Sequence, residues 1–247
     1  PNGAYVGKAR YYIAIRWYKD GKYDEALALI DNTLASSADA AFAEDALRIK
    51  GDILMKQGKF EDALDTFKVL AQKASKQDNI INANLGIIRA ADQLEKYSDM
   101  RESADKLLKM GGLSAEEEKE ATFCRAIANL NLSNGRAAAD DFKTLTKDTR
   151  NIYGARAAYE LANYYFGNND NVAAEDVLNK FIEGGTPHQY WLARGFILLA
   201  DIYHKKGNNF EAIQYIKSLK ENYPGDEQDI YEMIDARLNQ WENGSNK

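Results

Sequence analysis

The chain has 247 residues, 45% of them hydrophobic and 28% charged, with only three prolines. That much core-forming side chain excludes intrinsic disorder, and the length suits one or two globular domains or a single elongated array. The 32 Lys and Arg stand against 38 Asp and Glu, a net charge of -6, which excludes the basic footprint of a nucleic-acid binder and a polybasic membrane anchor.

With so few prolines, and Gly and Asn clusters at intervals, long stretches are compatible with helix. Apolar residues recur at helical spacing, as in Ile13, Trp17, Leu27 and Ile30, with little sustained alternation, so the fold is expected to be all-α. In chain order, a first unit reads Ile13-Ala14, Trp17, Gly21, Ala26 and Ile30, and a second Gly51, Gly58, Ala63, Phe67 and Leu70. A weaker unit follows with Ile87, Ile88, Tyr97, Ala104 and Leu107, and a fourth has Ala126, Ala138, Phe142 and Leu145. The fifth carries Leu161-Ala162, Tyr165, Asn169, Ala174, Leu178 and Phe181. The sixth carries Phe196, Leu199-Ala200, Tyr203, Gly207, Ala212, Ile216, Leu219 and Pro224. The step is roughly 36 to 38 residues, which points to stacked helix hairpins.

Close helix approach explains the pattern. Small residues are expected where the two helices of a pair cross: Ala14, Gly51, Ala126, Ala162 and Ala200 on the first, and Ala26, Ala63, Ala138, Ala174 and Ala212 on the second. Ile88 and Met100 break the rule, both in the third unit, which is read as a wider pair or a slip of register. Gly21, Gly58 and Gly207 fall at the turns between helices, where a positive φ ends the first helix at little cost. Ser114-x-x-Glu117 reads as a capping box, and Thr186-Pro187-x-Gln189 as a second helix start with Pro at the first helical position. Beyond Tyr223-Pro224-Gly225, residues 226–242 place Ile230, Met233, Ile234, Leu238 and Trp241 along one side, as a capping helix would, leaving 243–247 as a tail.

The spacing from Phe196 to Pro224 closely resembles the tetratricopeptide repeat, and the earlier units follow it with slightly longer steps than that family's 34. The resemblance implies a right-handed α-solenoid, an α-α superhelix of about six repeats over residues 1–224, approximately 7–40, 44–77, 81–114, 119–152, 155–188 and 193–226. The opening Pro1-Asn2-Gly3, without Met, and the tyrosines at 5, 11, 12 and 18 read as an array cut from a longer one, with possible self-association through the first repeat.

Catalytic and metal-binding patterns are nearly absent. His188 and His204 belong to no metal-ligand spacing, and there is no phosphate loop, dinucleotide fingerprint or nucleophile elbow. Asn168-Asn169-Asp170-Asn171 lacks the ligand alternation of a calcium loop and sits where a helix turn belongs. Glu102-Ser103 is the only dipeptide resembling a superhelical lytic transglycosylase, without that family's other motifs. The single cysteine, Cys124, excludes an internal disulfide and has no histidine near it in sequence. No enzymatic activity and no cofactor are expected. No window reaches the roughly 20 apolar residues of a bilayer span, so this segment is not expected to insert in a membrane.

The family resemblance implies that first-helix residues line an inner, concave face. Carried onto this chain, that face holds Tyr11, Tyr18, Arg48, Asp52 and Arg89, then Tyr159, Asn163, Phe166, Arg194 and Asp201. Aromatic rings with Arg, Asn and Asp suit an extended or helical peptide, held by stacking and set in register by polar groups. Tyr11 and Tyr18 can equally face an upstream repeat. The Lys and Asn clamp of chaperone-tail domains is absent, with Tyr11, Ile15, Arg48 and Asp52 at the corresponding places. The implied function is a non-enzymatic scaffold binding a protein or peptide partner and no nucleic acid. Two alternatives stay open: a structural or oligomerisation segment, and a glycan- or ligand-binding helical module. Tyr223-Pro224-Gly225, Gly185-Thr186-Pro187 and the Tyr-rich helices resemble the bacterial envelope branch of the family, the outer-membrane assembly lipoproteins and cell-division coordinators. A periplasmic or outer-membrane-associated protein is thereby implied, with a cytoplasmic one as the alternative.

Overall fold

A computed structural model describes residues 4–35 and 40–244; the last three residues of the expected tail lie outside the described residues, as does the stretch joining the first two repeats. The described chain is all-helical and divides into two compact units, one up to Leu132 and the other from Ser133. The first holds α1 (Ala4–Lys19), α2 (Tyr23–Ala35), α3 (Ala40–Lys56), α4 (Phe60–Lys73), α5 (Gln77–Gln93), α6 (Tyr97–Met110) and α7 (Ala115–Asn131). The second holds α8 (Gly135–Leu145), α9 (Ile152–Gly167), α10 (Asn171–Gly184), α11 (Gln189–Lys205), α12 (Asn209–Asn222) and α13 (Gln228–Gly244). Within each unit consecutive helices pack on one another, and odd-numbered helices lie beside the next odd-numbered helix.

The crossing positions are sealed. Ala14, Ala26, Ala63, Ala126, Ala138, Ala162, Ala174, Ala200 and Ala212 are all 0% exposed, and so is Ile88, with Met100 at 1%. The third pair therefore crosses on large buried side chains, and the glycine of its first helix, Gly86, faces α4 of the preceding pair instead. The Phe67 ring lies between two glycines: a Cβ at Gly51 or at Gly86 would stand 2.5 Å from it. This buried ring, flanked by backbone on both sides, packs in the first unit's core with Leu64, Leu70, Ile88 and Leu107. In the second unit Phe181 occupies a comparable place against Gly195, at an ordinary 3.4 Å.

Each hairpin turns on one residue with positive φ. Gly21 (75°), Gly58 (71°) and Gly207 (87°) do so without a Cβ penalty, whereas Glu95 (55°), Ser133 (62°) and Asn169 (62°) adopt the same conformation with one. The Asn168–Asn171 cluster is this kind of turn: Asn169 has the positive φ, and Asp170 caps α10 by accepting from the Ala173 amide at 3.1 Å. At Ser114 the capping box forms, the serine hydroxyl accepting from the Glu117 amide at 3.3 Å while the glutamate accepts from the Ser114 amide at 2.8 Å. The expected start at Thr186-Pro187 is displaced. Helix α11 begins only at Gln189; the Thr186 hydroxyl accepts from the His188 amide at 3.2 Å, ahead of the helix, while donating to the Thr149 carbonyl at 2.7 Å.

Candidate functional site

The ten candidate residues fall five to each unit, and the two sets differ in how they are held. In the first unit, Tyr11 is buried, 7% exposed, with its ring 5.4 Å from that of Phe42; burial is the main reason its hydroxyl pKa is raised. Tyr18 on the same helix is half-buried and faces Asp52, which raises its pKa further after burial. Asp52 lies one turn beyond Arg48, with 3.3 Å between carboxylate and guanidinium, and both side chains are about one-third exposed. Burial raises the Asp52 pKa, and Arg48, Arg89 and Lys56 pull it back. Arg89 makes a bidentate pair with Glu120 of α7, at 2.6 and 2.7 Å, a partner not evident in the sequence. Tyr18, Arg48, Asp52 and Arg89 therefore share one electrostatic neighbourhood on the first helices, while most of Tyr11 is spent on packing.

In the second unit, the candidates converge more closely. Tyr159, Asn163 and Phe166 from α9, with Arg194 and Asp201 from α11, line one cleft of about 120 Å³ together with Arg237 and Met233 of α13. Their positions follow from helical geometry: residues at steps of three and four share a face, and α9 lies beside α11. Arg194 organises the centre. It donates to the Tyr159 and Tyr190 hydroxyls, each at 3.0 Å, and Tyr190 in turn donates to Asp229 at 2.7 Å. Its guanidinium carbon lies 4.7 Å from the Tyr159 ring centre and 5.6 Å from that of Trp191, distances that favour a cation over a π face. Burial works against the Arg194 charge, yet the two tyrosine hydrogen bonds outweigh it and its pKa is raised. The Arg194 Nε is buried without a hydrogen-bond partner. Glu160 is held above the ordinary carboxylate range by burial, with Arg194 and Arg156 opposing.

The rim is fixed by α13. Arg237 forms a bidentate pair with Asp201 at 2.7 and 2.6 Å and also donates to the Met233 carbonyl, and Trp241 stacks on His204 at 4.5 Å. Phe166 carries the Lys205 ammonium 4.7 Å from its ring centre, and Asn163 is exposed. The sequence missed Tyr190, Trp191, Met233 and Arg237. Of these only Met233 had a signal, in the amphipathic pattern of 226–242 that put it on one side of that helix with Trp241. Elsewhere, Cys124 is half-buried against the core of the first unit, and Glu102 pairs with Lys106 on the surface at 2.8 Å. Among the described residues no cluster of His, Cys, Asp and Glu could hold a metal ion, and no helix is long and apolar enough to cross a membrane.

Fold and site together define a helical-hairpin repeat protein with a polar-aromatic cleft on its first helices. Residues 13–78 and 196–226 match models of the tetratricopeptide repeat. Solved structures with the same arrangement include PilW, described as a widely conserved type IV pilus biogenesis factor. It is 18% identical at a TM-score of 0.62, over 94% of this chain and 98% of that one. Pseudomonas aeruginosa PilF is 14% identical at a TM-score of 0.61, covering 93% of this chain and 96% of that one. YrrB, described as a tetratricopeptide-repeat protein with an unusual peptide-binding site, is 17% identical at 0.59 and covers 70% and 84%. At these identities the likeness is one of fold. No curated protein matches by sequence.

Proposed function

We propose that the chain is a non-catalytic scaffold that holds an extended peptide segment of a partner protein on its first-helix face. The supporting observation is the convergence of Tyr159, Asn163, Phe166, Arg194 and Asp201 on a single cleft. Arg194 presents a cation already held by two phenols, Asn163 can bond a peptide backbone, and the Tyr159 and Phe166 rings supply apolar contact, the composition of energetic centres at protein interfaces. Tetratricopeptide repeats are in general protein-interaction modules, and the peptide-binding description of YrrB is consistent with this use of the fold. The first-unit residues Tyr18, Arg48, Asp52 and Arg89 carry a surface of alternating charge within their own unit. The envelope location implied by the repeat endings belongs to the same proposal, and fractionation of the native host tests it.

A random dodecapeptide display library panned on the protein tests the reading. Selected peptides should lose at least about tenfold in affinity, some 1.4 kcal/mol, when exposed Asn163 is replaced by Trp, which fills the cleft without disturbing its framework. Affinity unchanged by Asn163→Trp would remove this cleft from the site. A second reading, self-association through the first repeat, is favoured by Tyr12 and Ile13, which are 56% and 46% exposed on α1. Ile13→Glu should then shift the sedimentation equilibrium towards monomer; a monomeric parent protein would end that reading.

A further inference from the structure

The second unit has another cleft, on a different side of α9, that the first-helix proposal does not use. Helix α9 turns Tyr159, Asn163 and Phe166 one way and Ala158, Leu161 and Tyr165 another, two stripes at helical spacing. The second stripe joins Val177 and Phe181 of α10 as the apolar floor of a cleft of about 550 Å³. That volume lies within the usual range for ligand sites, roughly 300 to 1,000 Å³. The cleft exists because α8 is short. It has 11 residues where α10 and α12 have 14, and it ends at Leu145, so the chain leaves the helix about one turn early.

The departing loop is built in place. Gly154 lies so close to it that a Cβ there would stand 2.0 Å from the Asp148 carbonyl oxygen. The next interhelical turn holds it from the other side, Thr186 donating to the Thr149 carbonyl at 2.7 Å and the His188 ring meeting the Arg150 carbonyl at 3.0 Å. A loop fixed by three such contacts carries Lys147 and Arg150 over the apolar floor, with Lys143 and Lys180 completing the rim. Four cations therefore line the cleft with two carboxylates, Asp148 and Asp176; Asp176 is paired with Lys180 at 2.6 Å and Lys143 with Asp140, outside the lining, at 3.6 Å, which leaves the positive excess on Lys147 and Arg150. Such an excess of positive charge, on a chain with a net charge of -6, marks a local preference for anions.

We propose that this cleft is a second peptide site, which takes an acidic segment of a partner with an apolar side chain between its carboxylates. The apolar side chain enters over Leu161, Tyr165 and Phe181, and the flanking carboxylates meet Lys147, Arg150 and Lys143. The proposal goes beyond the first-helix reading and does not depend on it.

The test uses the full chain, ¹⁵N-labelled, titrated with a capped pentapeptide in which phenylalanine and leucine sit between three acidic residues. The counterpart with three lysines is titrated in parallel. Amide shifts are expected around Lys147, Thr149, Leu161, Tyr165 and Lys180 with the acidic peptide only, weakening as salt is raised. Lys147→Glu with Arg150→Glu, both exposed, should weaken binding at least about tenfold. Ala173→Phe, which fills the cleft from α10 without changing charge, should do the same. The proposal is overturned if neither peptide shifts these amides, if the lysine peptide binds equally well, or if affinity survives both variants. Shifts confined to Tyr159, Asn163 and Arg194 would also overturn it while favouring the first-helix site.

Discussion

The two units are built on one packing rule and finished with different surface chemistry. Both bury alanine at most crossing positions and set a phenylalanine against glycine, yet the first-helix face of the first unit is laced with carboxylates and that of the second with arginine over aromatic rings. In the first unit Glu44 accepts from the Ser75 hydroxyl and amide and from Asn79, and Arg89 is clamped by Glu120. In the second, Arg194 is enclosed by Tyr159, Tyr190 and Trp191. The packing of a repeat is constrained by its neighbours, whereas its outward side chains are free to vary, so function is carried by the part of the repeat that the fold does not dictate.

The largest effects should come from the phenylalanine layers. Phe67→Ala and Phe181→Ala each leave a cavity at a site under 3% exposed, for an expected cost of about 3–5 kcal/mol in urea unfolding. The glycines beside them separate the units more sharply. Gly86→Ala drives a Cβ to 2.5 Å from the fully buried Phe67 ring and is expected to cost about 1–3 kcal/mol from overpacking. Gly195→Ala meets Phe181 at only 3.4 Å and should be neutral or gain up to about 1 kcal/mol in helix propensity. Equal responses at the two glycines would mean that Phe67 is not wedged as described.

Electrostatics offers a smaller contrast. The Glu44 carboxyl is held at about 2 by its Ser75 and Asn79 hydrogen bonds, below its ordinary value of 4.5. Its folded pKa lies below its unfolded one, so its stabilising contribution is complete above about pH 4.5 and is lost as pH falls towards 2. Glu44→Gln should flatten the stability profile in that window, and an unchanged acid limb would show that the hydrogen bonds do not hold in solution. The smallest expected effect is at a hairpin turn. Glu95→Gly relieves a positive φ of 55° and should stabilise by about 0.5 kcal/mol after the added freedom of the unfolded chain is counted, read as a small rise in Tm.

The packing of this molecule was largely legible in its sequence, because a helix pair imposes a small residue at fixed register and the chain repeats it. The third unit shows the limit. Ile88 and Met100 sit buried at the register positions, so this pair crosses without a small residue, while Gly86 makes room for Phe67 of the preceding pair; a pattern written for contacts within a pair does not report one made between pairs. At the site, register placed Tyr159, Asn163, Arg194 and Asp201 on shared faces. It could not supply Arg237, 36 residues from Asp201, or Glu120, 31 residues from Arg89, since periodicity gives a direction but not the reach of a side chain across to the next helix. Thr186 shows the converse: its local sequence resembles a cap and its hydroxyl does accept from the nearby His188 amide, but the same hydroxyl also donates to Thr149, 37 residues away, which the local pattern does not report.

Hydrogen–deuterium exchange with and without a display-selected peptide tests the central claim most directly. If the first-helix cleft of the second unit is the partner site, added protection should concentrate around residues 159–166 of α9 and 194–201 of α11. Protection confined to α10 and α12, with those segments unchanged, would contradict it.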